Sequence, residues 1–469
     1  IDPSRRRLCA GLLSLPFAEV SAQEIANILG RARSLSAGLS KPLRMLLPRG
    51  SEANVQPVVD RFARETGAKV ELIPSPVSDI NTHLLIAHGR GASYDVALPA
   101  TYGLADLVAA GALQALDDLA PGYAVSASRS SLFPLGDVVG GRLYGLQTDG
   151  DVYVMFYNRR LLENTELSDA FAARYGERPR PARSFGELDQ LMQFFHAPEQ
   201  NRYGGVLFRA PGFLAWEFWI RLHAAGRFPF NRDMRPQLTT DESVSALKAL
   251  VSASRWQHPA VMTDNLTDNW KRFAQGEALC NIGWGGSQKY WRRRAAELGR
   301  DILVAPLPGL AHAKGIARLG YFNWGWNYAV PARSTHPELA ALFACYAVSP
   351  RASALAVREP DGFFDPFQPE HFLSPGIEQV YGRNFLDVQR DALSHAIPDL
   401  YLPGRSGYMD SLDDYLHRAN SGDLSPTEAL RAVESIWEAH TDRLGRRRQV
   451  SAWRDLRARY PSELRSLLS

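Results

Sequence analysis

The sequence predicts an α/β protein with two domains or lobes, and two observations lead to this prediction. Apolar runs of strand length alternate with helix-like segments from residue 43 to residue 110, an order typical of a parallel sheet covered by helices. A chain of 469 residues also exceeds what one hydrophobic core usually serves. Apolar residues make up 45% of the chain and charged residues 22%, which is ordinary for a globular protein.

The predicted parallel sheet comes first along the chain. Its strands span residues 43–47, 70–73 and 95–98, and its helices span residues 51–65, 80–87 and 104–110. Ser51 is expected to cap the first helix, because a serine side chain at that position accepts a hydrogen bond from the helix backbone. Ligands of such sheets lie beyond the carboxyl ends of the strands, so residues 48–52 and 99–102 are expected at the edge of a cleft.

The rest of the chain continues the mixture of strands and helices. Strands are predicted over residues 152–157, 278–282 and 303–308, and helices over residues 188–195, 212–225, 241–254, 269–275 and 338–348. A capping box of Ser184 and Glu187 marks one helix start, and Ser425-Pro-Thr-Glu428 marks another. The C-terminal third is predicted to be mainly helical.

Charge and hydropathy exclude two function classes. The net charge is only +3, and a nucleic-acid-binding domain would present a clustered basic face. The arginine runs Arg292–Arg294 and Arg446–Arg448 are predicted to be solvated helix faces. No stretch of 18 consecutive apolar residues occurs in the chain, so no membrane-spanning helix is predicted.

The N-terminus has the layout of an export signal. Ser4-Arg-Arg-Arg-Leu8 precedes a short, weakly apolar run, and Val20-Ser-Ala22 then offers small residues at a cleavage site. This order predicts a signal peptide of the twin-arginine type over residues 1–22. A disordered basic tail is the alternative.

Removal of that segment leaves two cysteines, Cys280 in a strand-like run and Cys345 in an apolar helix. An oxidising compartment would allow them to pair. Two apolar settings explain both as buried free thiols without a bond, so we predict that they are unpaired.

Tryptophans stand in two glycine-containing turns beside strand-like runs. Trp284 lies between Gly283 and Gly285, and Trp324 and Trp326 flank Gly325. Aromatic rings at positions where the backbone is small and bent predict an aromatic cleft for a flat-faced polar ligand such as a sugar. Packing in the core for area alone is the alternative for each ring.

Five segments follow one another over about residues 43–440 and carry a family resemblance. They are residues 144–163, which include Tyr157-Asn-Arg-Arg-Leu-Leu162; residues 273–284, with Phe273-Ala-Gln-Gly-Glu-Ala-Leu279; Val304-Ala-Pro-Leu-Pro308; Gly325-Trp-Asn-Tyr-Ala-Val-Pro331; and residues 408–430. In this order they resemble the extracellular solute-binding proteins of ABC importers, in the group that includes maltose, trehalose and glycerol-phosphate binders. Leu279-Cys280 replaces the usual Ala-Met, and Asn323-Trp324 precedes Gly325 where the family often has a second glycine.

The resemblance implies the two-lobed periplasmic-binding-protein fold, with a hinge between the lobes and a ligand cleft that closes. Lobe 1 is expected to comprise residues 42–149 plus 304–350, and lobe 2 residues 150–303 plus 351–469, with crossovers near Asp149, near Ala305 and after Ser349. The resemblance also implies a small-molecule ligand, ABC transporter permease subunits as partners, a periplasmic location, no cofactor and a monomeric protein.

Candidate ligand-binding residues follow from the turns, the strand ends and the resemblance taken together. The candidates are Trp284, Trp326, Trp324, Asp149, Asp151, Glu52, Tyr102, Trp216, Glu217, Tyr321, Gly325 and Arg405. The two aspartates would accept hydrogen bonds from sugar hydroxyls, unless they serve the turn itself. Glu52 is alternatively a first-turn charge interacting with the helix dipole, and Arg405 alternatively belongs to a surface loop.

Catalytic and metal-binding motifs are missing from the sequence. It contains no Gly-x-Ser-x-Gly, no P-loop and no His-Glu-x-x-His, and residues 264–268 lack the glycine and glutamate of a calcium loop. Taken with the resemblance, this absence implies a non-enzymatic, substrate-binding component of an ABC importer for a sugar, polyol or glycoside. The alternatives are an extracytoplasmic carbohydrate-active enzyme and a binder of a glycerol-phosphate ester.

Overall fold

The computed structural model describes residues 21–294 and 301–469, so most of the predicted signal peptide lies outside the described residues. The chain forms two compact units. The first contains the described residues of Ile1–Asp151, Phe322–Leu386 and Pro398–Pro403, and the second contains those of Val152–Tyr321, Asp387–Ile397 and Gly404–Ser469. Each unit mixes helices with a sheet, so the predicted two-lobed α/β class is confirmed.

The first unit has a small parallel sheet at its centre. Leu43–Pro48 lies between Val70–Ser75 and Val96–Ala97, with Leu46 opposite both Ile73 and Ala97. These are the three predicted strands, and their parallel pairing is confirmed. The helices of this unit are Ala22–Ser36, Glu52–Thr66, Ile80–Arg90, Leu104–Ala109, Leu116–Leu119, Tyr123–Arg129, Pro337–Ala347, Pro350–Val357 and Pro375–Tyr381. Its shorter strands are Leu113–Gln114, Val138–Val139, Arg142–Leu143, Leu146–Gln147, Asn327–Tyr328 and Val330–Pro331.

The helix Glu52–Thr66 forms because its apolar residues recur at helical spacing. Val55, Val58 and Phe62 share one face and are fully buried. The helix ends at Gly67, whose φ of 81° suits a glycine. The predicted cap is wrong: the Ser51 hydroxyl donates to the Pro48 carbonyl at 2.7 Å and makes no cap hydrogen bond, because it is turned back toward the preceding strand.

The second unit has a four-stranded mixed sheet. Val154–Asn158 runs antiparallel to both Ala278–Gly283 and Ile302–Ala305, and Ala278–Gly283 pairs in parallel with Tyr203–Gly205. The hairpin strands are Leu310–His312 and Gly315–Ala317. The helices are Arg159–Leu162, Thr165–Tyr175, Phe185–Phe195, Leu214–Ala224, Asp241–Ala253, Leu266–Ala274, Gly285–Arg294, Arg405–Ser421, Pro426–Leu444, Arg446–Arg457 and Ser462–Leu467. The helix Arg383–Ser394 and the paired strands Gly320–Phe322 and Ala396–Pro398 contain residues of both units.

The second unit also takes in residues 304–321, which the sequence analysis assigned to lobe 1. Strand pairing is the reason. Leu303 and Val304 lie opposite Tyr157 and Phe156, so the segment extends the sheet of the second unit. The chain therefore passes between units at residues 321 and 322, not near Ala305.

The first unit takes in residues 351–386 and 398–403, which the sequence analysis assigned to lobe 2. The helix Pro350–Val357 packs on Glu52–Thr66. The side-chain amide of Asn54 donates through Nδ2 to the Ala356 carbonyl at 2.7 Å, and its Oδ1 accepts from the Phe363 backbone amide at 2.7 Å. These hydrogen bonds hold the segment in the first unit, and the chain leaves that unit between residues 386 and 387.

Both described cysteines are free and buried, as predicted. Cys280 lies in the sheet of the second unit and Cys345 in the helix Pro337–Ala347 of the first. Burial raises the pKa of both thiols, that of Cys345 to about 12, which keeps them protonated at neutral pH.

Within residues 21–294 and 301–469, no single helix is long and apolar enough to cross a bilayer. The helices Pro337–Ala347 and Pro350–Val357, bent by 72°, reach that length and apolar composition only when taken together.

Candidate functional site

The predicted ligand-binding residues fall into two groups, one in each unit. The first unit holds Glu52, Tyr102, Asp149, Asp151, Trp324, Gly325 and Trp326, and the second holds Trp216, Glu217, Trp284, Tyr321 and Arg405.

In the first unit, two turns that are distant in sequence lie side by side. The Thr148 amide donates to the Trp326 carbonyl at 3.0 Å, and the Thr101 amide donates to the Gly325 carbonyl at 3.1 Å. Gly325 has a φ of 63°, and a Cβ there would lie 2.6 Å from the Phe322 ring. Only glycine fits this bend. The bend brings residues 324–326, the tryptophan turn, beside residues 148–151, the aspartate turn.

The aromatic rings of the first unit form an edge-contacting series. Tyr102 and Trp324 meet at 5.4 Å with an interplanar angle of 88°, and Trp324 and Trp326 lie 6.2 Å apart. Trp326 is buried, whereas Tyr102 and Trp324 are partly exposed. Three of the predicted aromatic candidates are thus brought together.

Three carboxylates converge at the aspartate turn. Oxygen atoms of Asp149, Asp151 and Asp365 lie within 4.8 Å of one another. Asp365 makes two hydrogen bonds with the aspartate turn. Its backbone amide donates to Asp149 Oδ1 at 2.7 Å, and its carbonyl accepts from the Gly150 amide at 3.2 Å. The Tyr381 hydroxyl also donates to Asp365 Oδ1 at 2.8 Å.

Burial and the two neighbouring acids affect the protonation of Asp151. Burial raises the pKa of Asp151 well above its ordinary value, and the charges of Asp149 and Asp365 raise it further. A hydrogen bond from the Gly325 backbone opposes this change without cancelling it. The group therefore favours a proton on Asp151 when nothing else neutralises its charge.

In the second unit, the sheet register gathers the aromatic rings. Gly283 lies opposite Val154, so the residues that follow and precede them, Trp284 and Tyr153, come together with ring centroids 5.3 Å apart. Tyr153 also contacts Tyr321 at 5.3 Å and Trp216 at 6.0 Å. Trp216, Trp284 and Tyr321 thus meet around Tyr153, which the sequence analysis did not single out.

The helix Leu214–Ala224 places its two tryptophans differently. Trp216 contacts Phe213 at 4.9 Å and Trp284 at 6.3 Å. Trp219 is fully buried and packs on His223 at 5.1 Å. Trp216 is therefore the tryptophan of this helix that joins the aromatic cluster.

Glu217 lies in a buried ionic network. Arg209 Nη2 donates to its Oε1 at 3.1 Å and Arg221 Nε donates to the same atom at 2.8 Å, while Arg221 also pairs with Asp189 at 2.6 Å. Burial acts to raise the pKa of Glu217, but the two arginines outweigh it and hold the pKa below its ordinary value. Both oxygens of this carboxylate are engaged by arginines, which argues for a structural role.

Glu52 and Arg405 begin helices in different units. The Glu52 carboxylate accepts a hydrogen bond from the Gly50 amide, in keeping with the alternative of a first-turn charge. Arg405 is the first residue of Arg405–Ser421 and only 8% exposed, so it is not part of an exposed surface loop.

Sequence reasoning missed Asp365, Tyr381 and Tyr153. Asp365 reaches the aspartate turn across 216 residues, and only the turn-like segment Asp361-Gly-Phe-Phe-Asp365 before a proline hinted at a special position. Tyr153 could not be singled out because it lies in an apolar run, where the strand register alone decides which residues it contacts.

A family model described as bacterial extracellular solute-binding protein matches residues 49–354, well over half of the chain. Among solved structures, an ABC transporter solute-binding protein from Agrobacterium vitis S4 with bound D-mannitol has a TM-score of 0.68 and 18% identity. The match covers 86% of this chain and 99% of that one.

Two further solved structures agree. A solute-binding protein from Agrobacterium radiobacter K84 with ribitol has a TM-score of 0.70 and 17% identity, over 84% of this chain and 98% of its own. The MalE3 protein of T. maritima with maltose has a TM-score of 0.67 and 18% identity, over 85% and 99%. At these identities the likeness establishes the fold, and the predicted solute-binding-protein architecture is confirmed.

Proposed function

The chain belongs to the bacterial extracellular solute-binding protein family, and on that basis we propose that it captures a sugar, polyol or related glycoside for an ABC importer. The observation that carries the proposal is the family match over residues 49–354. The two aromatic groups and the converging carboxylates add the chemistry that such a ligand requires.

A carbohydrate offers apolar C–H faces and many hydroxyls. Aromatic rings stack on the faces, and carboxylates accept hydrogen bonds from the hydroxyls with charge-assisted strength. We assign these roles in the second unit to Trp216, Trp284 and Tyr321. The residues assigned in the first unit are Tyr102, Asp149, Asp151, Trp324, Gly325 and Trp326. Glu52 and Arg405 remain candidates, and Glu217 is left out because its oxygens already bind arginines.

Related structures favour a hydroxyl-rich ligand without an anionic group. D-mannitol, ribitol and maltose are the ligands of the three proteins compared above. All three are neutral and rich in hydroxyls. A polyol or sugar is therefore a better first choice for this chain than the glycerol-phosphate ester kept as an alternative.

We also propose export through the twin-arginine route, with cleavage after Ala22, and delivery of the ligand to permease subunits by a monomer. The arginines of Ser4-Arg-Arg-Arg-Leu8 support the route. Replacing Arg5 and Arg6 by lysine should leave the precursor in the cytoplasm. Normal export of that variant would refute the route but not secretion itself.

The test of the function is a thermal-shift screen across sugars, polyols and phosphodiesters, followed by chromatography of each ligand that binds. A ligand bound only by the native protein raises its melting temperature, and a transport protein returns that ligand unchanged. A new product would favour the carbohydrate-active enzyme. No shift with any sugar or polyol, beside a shift with a phosphodiester, would overturn the proposed ligand class.

A further inference from the structure

The carboxylates of Asp149, Asp151 and Asp365 are arranged as a preformed set of oxygen ligands. We propose that this cluster binds a cation. Oxygen atoms of all three side chains lie within 4.8 Å of one another. Two oxygens bound to one calcium ion at about 2.3–2.6 Å can be no more than roughly 5 Å apart, so a single cation can contact all three.

One oxygen of the cluster points independently to a ligand. Asp151 is 6% exposed, and its Oδ1 atom is buried without a hydrogen-bonding partner within residues 21–294 and 301–469. A buried acceptor left unsatisfied costs free energy. A cation beside Oδ1 would satisfy it.

The cluster is held in place by hydrogen bonds that do not depend on the cation. The Asp365 amide donates to the Asp149 carboxylate, the Asp365 carbonyl accepts from the Gly150 amide, and the Tyr381 hydroxyl donates to the Asp365 carboxylate. A preorganised set of carboxylates binds a cation without a further cost of ordering the side chains.

The position of the cluster gives two possible sources for the positive charge. Asp151 accepts a hydrogen bond from the Gly325 backbone, which lies between the tryptophans Trp324 and Trp326 of the proposed ligand site. Hard oxygen ligands suit calcium or magnesium, and carboxylates equally suit an ammonium group. A bound metal ion is independent of the proposed function. An ammonium group rests on that function and would make the ligand an amine-bearing sugar.

The experiment uses the whole chain as wild type, Asp151→Asn and Asp365→Asn. Asp60→Asn is the matched control, because Asp60 is an exposed acid of the same unit whose side chain accepts a hydrogen bond from Gln56 at 2.7 Å. Each protein is titrated calorimetrically with calcium chloride, with magnesium chloride, and with D-glucosamine and D-glucose in the presence of a chelator. Melting curves identify variants that fold.

Two results support a cation site. One metal ion per chain in the wild type and control, with affinity at least 10-fold weaker in either cluster variant, identifies an inorganic cation. Binding of D-glucosamine at least 10-fold tighter than D-glucose, with the preference lost in the cluster variants, identifies a ligand ammonium.

Other results would count against the cation site or against the proposed function. A wild-type protein that binds neither metal and shows no preference for the amino sugar overturns the cation site. If neutral sugars or polyols still bind, the proposed function stands without it. Metal binding without any sugar or polyol binding would instead support the site and count against the proposed function.

Discussion

Asp137 is a fully buried acid in the first unit, with Ser128 Oγ at 2.6 Å and Asn327 Nδ2 at 2.8 Å. Burial raises its pKa to about 8, whereas an aspartate in the unfolded chain has a pKa of about 3.9. Between these values the folded protein holds a proton that the unfolded chain has released. Stability therefore falls as pH rises through this window, by at most about 1.4 kcal/mol per pH unit.

Asp137→Asn should remove this pH dependence, because an asparagine keeps the packing without the titrating group. Urea unfolding at pH 5 and pH 8 is the measurement. The wild type should lose more stability than the variant between the two pH values. Equal losses would show that Asp137 is not the source.

Trp284 and Trp326 are expected to contact the ligand. Changing either to alanine should weaken binding by roughly 1–3 kcal/mol, judged from the burial of an apolar side chain, or about 10- to 100-fold. Trp219→Ala is the control, because Trp219 is fully buried and packs on His223 instead. It should cost roughly 3–5 kcal/mol of stability and leave the affinity of the folded protein unchanged.

Calorimetric titration beside a denaturant melt separates the two roles. Preserved affinity together with a large loss of stability in Trp284→Ala or Trp326→Ala would show that these rings are structural.

Glu217 is expected to stabilise the fold without contacting the ligand. Glu217→Ala removes the partner of two buried arginines, Arg209 and Arg221, and breaking a buried ion pair costs about 3–5 kcal/mol. The variant should unfold at lower denaturant concentration while the folded fraction binds ligand as the wild type does. A 10-fold loss of affinity without a loss of stability would return Glu217 to the ligand site.

At the scale of elements, the local apolar pattern was enough to predict the parallel sheet of the first unit and the helices between its strands. The sheet strand Leu43–Pro48 and the helix Glu52–Thr66 differ from their predicted bounds by about one residue, because their apolar spacing is regular. Asp365 and the assignment of residues 304–321 could not be predicted. They depend on hydrogen bonds and strand pairs between distant segments, which leave no periodic signal.

The tryptophan turn is expected to need glycine at position 325. Gly325→Ala would place a Cβ 2.6 Å from the Phe322 ring and 2.8 Å from Gln147 Nε2, at a φ of 63°. We expect lower stability, from the φ cost of about 1–2 kcal/mol and the collision together, and weaker ligand binding.

Gly140→Ala is its matched control, since Gly140 has a φ of 57° in the same unit but open space around it. Chemical unfolding of both variants measures the difference. Equal effects would mean that backbone conformation alone matters and that the packing around Gly325 does not position the site.

At the scale of the whole molecule, length and motif order predicted two lobes, and each unit has its own sheet and buried core. The boundaries could not be predicted from the sequence because the first unit consists of three separate segments of the chain. Contacts between distant residues, such as that of Asn54 with Ala356, decide which segments belong to it. The family membership adds the expectation that ligand closes the lobes. A ligand favours the closed state only through contacts that the open state lacks.

Small-angle scattering of the protein with and without a sugar or polyol that raises its melting temperature tests this capture most directly. Closure predicts a smaller radius of gyration at saturating ligand, and chromatography should recover that ligand unaltered. Superimposable scattering curves with the ligand fully bound would contradict capture by closure.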